Sequence, residues 1–374
     1  MNGNIRVGNL FGIPFYVNPS WFLVLGLVTL SYGGTLGHLF PGLGGILSLL
    51  LGFIAALSLF ASVLAHELGH SFVAIHQGIE VKSITLFLFG GLASLEKESE
   101  TPGQAFWVAI AGPAVSLVLF GLFTAIGVGT SLTGPLAAIV SLLAYINLIL
   151  ALFNLIPGLP LDGGNILKSL VWKITGNPYK GVVFASRVGQ FVGWSGIALG
   201  LLSILGISNI GSFWTLLIGW FLLQNAGRSG QSASLAEKLR SLKAEDAVIP
   251  NSPIISADLS VREFANNYII GKAEWNKFLV TDEAGQLLGA LTVDDLKTIP
   301  TSQWPIIQVR EIMQPVDFST IVHSDQSLLE VIPLLETEKL TQLPVVRDNG
   351  VLVGILEKAS IVRLLEQRAQ AKLA

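Results

Sequence analysis

The sequence of 374 residues is unusually apolar: 51% of its residues are hydrophobic and 13% are charged, whereas a typical soluble chain has about 25% charged residues. The net charge of −3 gives no indication of a nucleic-acid partner. There is no cysteine, which excludes a disulfide framework and a thiolate metal site, so nitrogen and oxygen atoms would have to hold any metal ion.

The charged residues divide the chain into a membrane part and a water-exposed part. Residues 1–227 contain 13 of the 47 charged residues, and residues 228–374 contain the other 34. We therefore predict a membrane domain over residues 1–227 and a soluble domain over residues 243–374. The Gly/Ser-rich stretch between them, residues 228–242, is interpreted as a flexible linker.

Six apolar stretches are long enough to cross a hydrocarbon layer of ~30 Å, which requires about 20 helical residues. The first begins after Asn18 without a small-residue cleavage site behind it, which indicates an anchor and not a removable signal. Lys and Arg are confined to alternate connections and the two ends, so the positive-inside rule predicts that both termini and the soluble domain are cytoplasmic. The predicted spans lie near residues 19–38, 44–77, 104–129, 135–156, 186–206 and 210–226.

A further apolar stretch, residues 79–95, is rich in β-branched and aromatic residues, and its uncharged part is too short to cross a bilayer as a helix. We interpret it as a re-entrant β-like segment. Such a backbone is tolerated at membrane depth only where protein or a water-filled cavity satisfies its polar groups, so it indicates a cavity beside span 2. The alternative interpretation is an amphipathic cytoplasmic loop.

Span 2 contains the sequence HELGH, which begins at His66. On a helix, His66 and His70 lie one turn apart on the same face, a spacing that allows two imidazoles to bind one metal ion, with Glu67 beside them as a base. Ionisable residues within an apolar helix are costly to bury and usually functional. The alternative is a polar helix-packing cluster without a metal.

A catalytic zinc ion usually has three protein ligands, so a third ligand must lie elsewhere. Asp162 is the best acidic candidate because it follows span 4. The last parts of spans 2 and 4 both approach the cytoplasmic face of the membrane. Pro157 and Pro160 interrupt the helix just before it and could turn the carboxylate inward. Taken alone, this Pro/Gly-rich motif is more often a simple turn after a helix.

HELGH at 66–70 together with NLIPGLPLDGG at 154–164 resembles the site-2 protease family of intramembrane metalloproteases, over roughly residues 10–227. The resemblance implies that His66, His70 and Asp162 bind one zinc ion per chain and that Glu67 activates water. The implied reaction is hydrolysis of peptide bonds in transmembrane segments of membrane-anchored substrates.

The resemblance also suggests residues that handle the substrate. A strand around Phe89, Gly90 and Gly91 could pair with an unwound substrate segment. Asn154 is a candidate for stabilising the oxyanion, although helix packing explains it equally well. The chain departs from the family pattern at Asn165, where many members have Arg, and at Ser116, where G-P-x-x-N ends in Asn. We expect these departures to affect substrate handling or packing more than metal binding.

Beyond the linker the sequence repeats at an offset of 65 residues: residues 278–296 align without gaps with residues 343–361, each in the order strand, Gly turn, strand, helix start. Two such units, about 243–300 and 309–366, resemble a pair of CBS modules with an α/β fold. Such pairs often bind adenine nucleotides and pair into homodimers.

The first repeat matches the nucleotide-contacting pattern of that family at Thr292 and Asp295, whereas the second has Glu357 and Ser360 instead. Nucleotide binding and a purely structural or dimerising role therefore both stay open. A helix N-cap also accounts for Thr292 and Asp295. Because CBS pairs also follow channels and transporters, a CBS-regulated transporter is kept as the alternative function. The sequence does not identify a substrate.

Overall fold

The protein is described by a computed structural model that covers residues 3–87, 90–271, 275–315, 320–337 and 342–371. The chain separates into two compact units, Met1–Ser234 and Leu235–Ala374. In the described residues, the first unit contains long apolar helices and one small sheet, and the second contains two small sheets with short helices.

Seven α-helices lie in the described residues up to Arg240. Five helices are long and apolar enough to cross a membrane: α1, α2 together with the short turn before it (Pro41–His76), α3, α4 and α6. They correspond to the first five predicted spans. The seven helices are α1 (Ser20–Leu39), α2 (Gly44–His76), α3 (Pro102–Gly129), α4 (Gly134–Asn154), α5 (Asp162–Thr175), α6 (Pro178–Ile204) and α7 (Phe213–Arg240).

The sixth predicted span, residues 210–226, is not one of these five. It falls within α7, where apolar residues give way to polar ones after Leu223. The count of six spans therefore stays a prediction.

The prediction of a flexible linker over residues 228–242 was wrong for most of its length, because α7 is helical through Arg240. The small residues of this stretch are packing positions. A Cβ added to Gly230 would lie 3.0 Å from the Cβ of Ser186 on α6. Tertiary packing thus overrides the weak helix propensity of Gly and Ser.

A four-stranded sheet accompanies the helices, with the strand order β1, β2, β3, β4. The central pair β2 and β3 is parallel, and the two outer pairs are antiparallel. The β character predicted for residues 79–95 is confirmed, since β3 and β4 form a hairpin there, whereas its entry into the membrane stays a prediction. The strands are β1 (Ile5–Leu10), β2 (Ile13–Val17), β3 (Val81–Phe87) and β4 (Gly90–Leu95).

Small residues allow the apolar helices to approach closely. A Cβ on Gly52 of α2 would lie 2.6 Å from the Thr29 carbonyl oxygen and 2.7 Å from the Gly33 Cα of α1. Close backbone approach of this kind is what holds helices together in an apolar solvent, where there is no hydrophobic driving force between them. Helix α2 therefore packs closely against α1 at Gly52.

The second unit confirms the predicted repeat in detail. Strand β6 (Lys277–Thr281) pairs with β7 (Leu287–Thr292), and 65 residues later β10 (Gln342–Val346) pairs with β11 (Leu352–Glu357). Every partner in the second hairpin is the first hairpin's partner plus 65, and both ladders have a bulge at the same point, after Val280 and after Val345. Parallel strands β5 (Ile254–Ser256) and β9 (Val322–His323) flank β6 and β10 respectively.

The two repeats exchange their leading segments, which the sequence offset does not reveal. Residues 242–249 donate and accept backbone hydrogen bonds with the second repeat, as in Ala244 N–H to Gln326 O (2.8 Å). Residues 307–315 bond in the same way to the first repeat, as in Val309 N–H to Leu259 O (2.9 Å). Each repeat therefore completes the hydrophobic core of the other.

The remaining elements of the second unit are short helices and one short strand. Strand β8 (Gln314–Pro315) pairs with β7 and ends the first sheet. The helices are α8 (Val261–Phe264), α9 (Val309–Ile312), α10 (Leu328–Thr337) and α11 (Lys358–Ala371).

Candidate metal centre and substrate cavity

Helix α2 and the start of α5 bring three ligand groups together. The Nε2 atoms of His66 and His70 lie 3.3 Å apart. Asp162 Oδ2 lies 3.1 Å from the first and 3.3 Å from the second. The two imidazoles and the carboxylate predicted from the sequence thus lie together, although His66 and Asp162 are 96 residues apart in the chain.

The spacing of these three atoms fits a zinc ion. Zinc binds His nitrogen at about 2.0–2.1 Å and carboxylate oxygen at about 2.0–2.2 Å in tetrahedral geometry, which separates neighbouring ligand atoms by about 3.3 Å. The three distances found here agree with that value. Two nitrogens, one oxygen and no thiolate also suit zinc.

Helix α3 orients both imidazoles from behind. The Nδ1–H of His70 donates to the Val108 carbonyl oxygen at 2.6 Å. His66 Nδ1 lies 2.9 Å from the fully buried hydroxyl of Ser116. A metal bound at Nε2 requires the proton on Nδ1, and both contacts stabilise that tautomer.

Ser116 lies beside a predicted metal ligand, although we expected the departures from the family pattern to affect substrate handling or packing more than metal binding. Its hydroxyl contacts a ligand imidazole, so the substitution of Ser for Asn in the G-P-x-x-N pattern falls beside the metal. The other partner, Val108, acts through its backbone carbonyl, which carries no sequence signal.

Gly112 of α3 lies directly against the ligand atoms. A Cβ at this position would be 2.2 Å from His70 Nε2 and 2.6 Å from His66 Nε2. Any side chain here would occupy the space of the metal centre. The position requires glycine because glycine has no side chain, and not because its backbone is flexible.

Glu67 is held by strand β4. The backbone N–H of Ala93 donates a hydrogen bond to its carboxylate, and a Cβ on Gly91 would lie 2.3 Å from Glu67 Cγ. The backbone of β4 therefore packs against the glutamate side chain, next to the two imidazoles.

A tight turn delivers Asp162 to the centre. Helix α4 ends at Asn154, and α5 begins at Asp162, as the two prolines between them predict. A Cβ on Gly163 would lie 2.3 Å from the Leu155 carbonyl oxygen, and one on Gly164 would lie 2.2 Å from the Leu159 nitrogen. Because these two glycines have no side chain, the start of α5 can pack directly against the backbone of the preceding loop.

The metal centre opens into a cavity of about 380 Å³. Among the predicted substrate residues, Gly90, Gly91 and Asn154 line it, and Phe89 lies outside the described residues. The Asn154 side chain donates to the carbonyl of Leu150 in its own helix at 3.0 Å. Asn165 and Lys168 of α5 also line the cavity.

The predicted nucleotide residues form a local cap in the second unit. The backbone N–H and the hydroxyl of Thr292 both donate to Asp295 Oδ2 at 2.7 Å, and Gln314 Nε2 donates to Oδ1 at 3.0 Å. Partial burial raises the pKa of Asp295, but these hydrogen bonds lower it by more, so the pKa lies below its ordinary value of 3.8.

A glutamate beside two imidazoles and a carboxylate at zinc spacing, on a helix apolar enough to cross a membrane, defines the class as a membrane-embedded zinc metallopeptidase. Residues 54–136 and 129–196 match peptidase family M50, and residues 309–367 match the CBS domain. The chain belongs to peptidase family M50, the site-2 proteases, and has a C-terminal CBS domain.

Two relatives that match nearly the whole length of the chain support this assignment. A Synechocystis sp. protein named as zinc metalloprotease sll0528 is 63% identical over 369 residues, which are 99% of this chain and 97% of the relative. A Mycobacterium tuberculosis protein named as zinc metalloprotease Rip3 is 30% identical over 369 residues, which are 98% and 94%. The solved site-2 protease from Methanocaldococcus jannaschii is 27% identical and covers 61% of this chain and 95% of its own, with a TM-score of 0.43.

Proposed function

We propose that the protein cleaves peptide bonds in transmembrane segments of membrane-anchored proteins. In this proposal His66, His70 and Asp162 hold the zinc ion, and Glu67 is the general base. One observation carries the proposal: the three ligand groups, Glu67 and the outer strand β4 line one cavity. The helix that bears the histidines is itself long and apolar enough to cross a membrane.

Zinc at such a site supplies Lewis acidity for the scissile carbonyl and lowers the pKa of water. The residues of the chain do the rest. Glu67 takes the proton of the attacking water and returns it to the leaving amine. The Val108 carbonyl and the Ser116 hydroxyl hold the two imidazoles in orientation, and Asn154 is placed in the cavity where it could contact the developing oxyanion.

Strand β4 is the most suitable surface for an unwound substrate segment. In the described sheet it is one of the two outer strands, and Gly91, Ala93 and Leu95 line the cavity. Because the Ala93 N–H donates to the Glu67 carboxylate, the outer edge of β4 faces this glutamate. An extended substrate segment added to this edge would lie along the metal centre.

The strand order decides where the proposed strand addition can be tested. Strand β3 is an inner strand, since Leu86 pairs with Val17 on one side and Gly91 on the other. A proline substitution at Leu86 would therefore break the sheet itself. Substitutions in β4 address substrate pairing more directly.

The decisive experiment is Glu67→Gln in proteoliposomes with single-span model substrates. We expect loss of cleavage by at least 10²-fold, the scale of general-base catalysis, with one zinc ion retained per chain. Glu80→Gln is the matched control, because Glu80 is exposed and lies outside the cavity. A zinc-loaded wild type that cleaves none of these substrates but conducts ions would instead favour a transporter.

We further propose that the remaining predictions hold: six spans, cytoplasmic termini, and a soluble CBS pair that binds adenine nucleotide at Thr292 and Asp295 or pairs two chains. The matching hairpins of the two repeats support a complete CBS pair. The hydrogen bonds within the Thr292–Asp295 cap equally suit a structural role, so the nucleotide proposal depends on a titration.

A further inference from the structure

Lys168 is a cationic group in the cavity that the proteolytic chemistry does not use. It lies six residues after Asp162 on α5, with Asn165 between them, and all three line the cavity. Its side chain is only 19% exposed. A lysine in such a position keeps its ammonium group near water while its methylene chain is buried, so the charge faces the space that a substrate enters.

The carboxylate that pairs with Lys168 belongs to a loop. Glu98 Oε2 lies 3.6 Å from Lys168 Nζ, and its side chain is 93% exposed. Glu98 also lines the cavity and lies between the end of β4 and the start of α3. The pair is longer than a charge-assisted hydrogen bond of about 2.7–2.9 Å, and a pair with so exposed a partner contributes little stability.

The position of Lys168 relative to β4 determines what it could bind. The outer strand β4 and the start of α5 both line the cavity that contains the metal ligands. A substrate segment lying along β4 would therefore direct side chains toward α5. A carboxylate on that segment could replace Glu98 at Lys168, because the Glu98 side chain is 93% exposed and water can solvate the displaced carboxylate.

We propose that Lys168 is a specificity-determining residue, which binds an aspartate or glutamate side chain of the substrate close to the scissile bond. Glu98 occupies this subsite when substrate is absent. The inference rests on the proposed proteolytic function and names one feature of its substrates. The competing explanation is that Lys168 and Glu98 only attach the loop to α5.

The test uses single-span model peptides in proteoliposomes, each with Asp or the isosteric Asn at one of several successive positions flanking the scissile bond. At one position, wild type is expected to cleave the Asp peptide about tenfold more efficiently, as one hydrogen bond to a charged group allows. The difference should appear in KM, since the contact forms on binding.

Charge variants then assign the effect to Lys168. Lys168→Met should abolish the preference for Asp over Asn, and Lys168→Glu should reverse it in favour of a Lys peptide. Glu98→Gln should raise kcat/KM for the Asp peptide, because it removes the competing carboxylate. Lys173→Met is the matched control, since Lys173 is exposed on the same helix and outside the cavity.

Binding separates this inference from the proposed function. Zinc-loaded Glu67→Gln should bind the Asp peptide more tightly than the Asn peptide in fluorescence anisotropy, and adding Lys168→Met should remove that difference. Preferential binding without cleavage by wild type would overturn the proposed function but support the subsite. Equal binding and equal cleavage of the two peptides at every position would overturn the subsite and leave only the loop attachment.

Discussion

Gly112 shows how little space surrounds the metal centre. A methyl group there would lie 2.2 Å from one ligand nitrogen and 2.6 Å from the other, distances at which something must move. We expect Gly112→Ala to reduce bound zinc from about one ion per chain to near zero, because the added methyl group would displace the two histidine nitrogens that bind the ion. Metal analysis of the purified protein measures this.

Gly121→Ala is the matched control for that variant. Gly121 lies on the same helix, and a Cβ there would meet nothing within 4 Å. It should retain zinc and gain slightly in stability from the better helix former. Full zinc content in Gly112→Ala would show that α3 can move away from the histidines, contrary to our interpretation.

Ser116 should influence zinc through His66. Ser116→Ala removes the buried hydroxyl 2.9 Å from His66 Nδ1 and leaves the imidazole N–H without that acceptor. We expect zinc affinity to fall about 10–100-fold, the usual effect of losing an outer-shell partner, as measured by competition with a chelator. Unchanged affinity would mean that helix packing alone orients the ring.

The catalytic constellation could be predicted from the sequence because its two halves have local signatures. His66 and His70 share a helix face, and the prolines before Asp162 indicate that the helix ends before this aspartate. The partners on α3 could not be predicted, since one acts through its backbone and the other, Ser116, departs from the family pattern. No local pattern in the sequence indicates that Lys168 lines the same cavity as the metal ligands.

Among the elements, the helices were easier to predict than the strands. Long apolar runs give α1 to α4 within a few residues, whereas β1 and β2 contain Gly8 and Pro14 and form their sheet with β3, more than 60 residues away. Such non-local pairing leaves no local signal. The sequence did not predict the helical continuation of α7 either, because Gly and Ser indicate a linker when the residues that pack against them are unknown.

The short helical turn at Asp295 gives a pH prediction. Its carboxylate has a lowered pKa because Thr292 and Gln314 donate to it. The stabilisation is therefore present above pH 3.8 and lost as the pH falls through the lower pKa of the folded state. Asp295→Asn should cost about 1 kcal/mol near pH 6, and the difference in Tm from wild type should shrink as the pH falls below 3.8.

The neighbouring residue offers the control for this measurement. Asp294 is exposed and pairs with Lys297 on the surface, so Asp294→Asn should change stability by less than about 0.5 kcal/mol. If the Tm difference for Asp295→Asn were constant from pH 6 to pH 3, the cap would not depend on the charge of the carboxylate.

For the whole molecule, adenine nucleotide is the open question. If the CBS pair binds it, AMP or ATP should raise the Tm of the full-length protein in detergent, by the equivalent of about 2.7 kcal/mol at 100 times Kd. Thr292→Val should weaken the shift, and Ser360→Ala in the second repeat should not. No shift at millimolar nucleotide would favour a structural or dimerising role, which sedimentation can then test.

The exchange of residues 242–249 and 307–315 between the two repeats restricts how this half of the molecule could have been assembled. Neither repeat is complete by itself, so a protein that ended after the first would expose the site where its partner's segment binds. Part of its hydrophobic core would then be exposed to water, so the two repeats stabilise each other only as a pair. Gain or loss of the module should therefore occur in units of two.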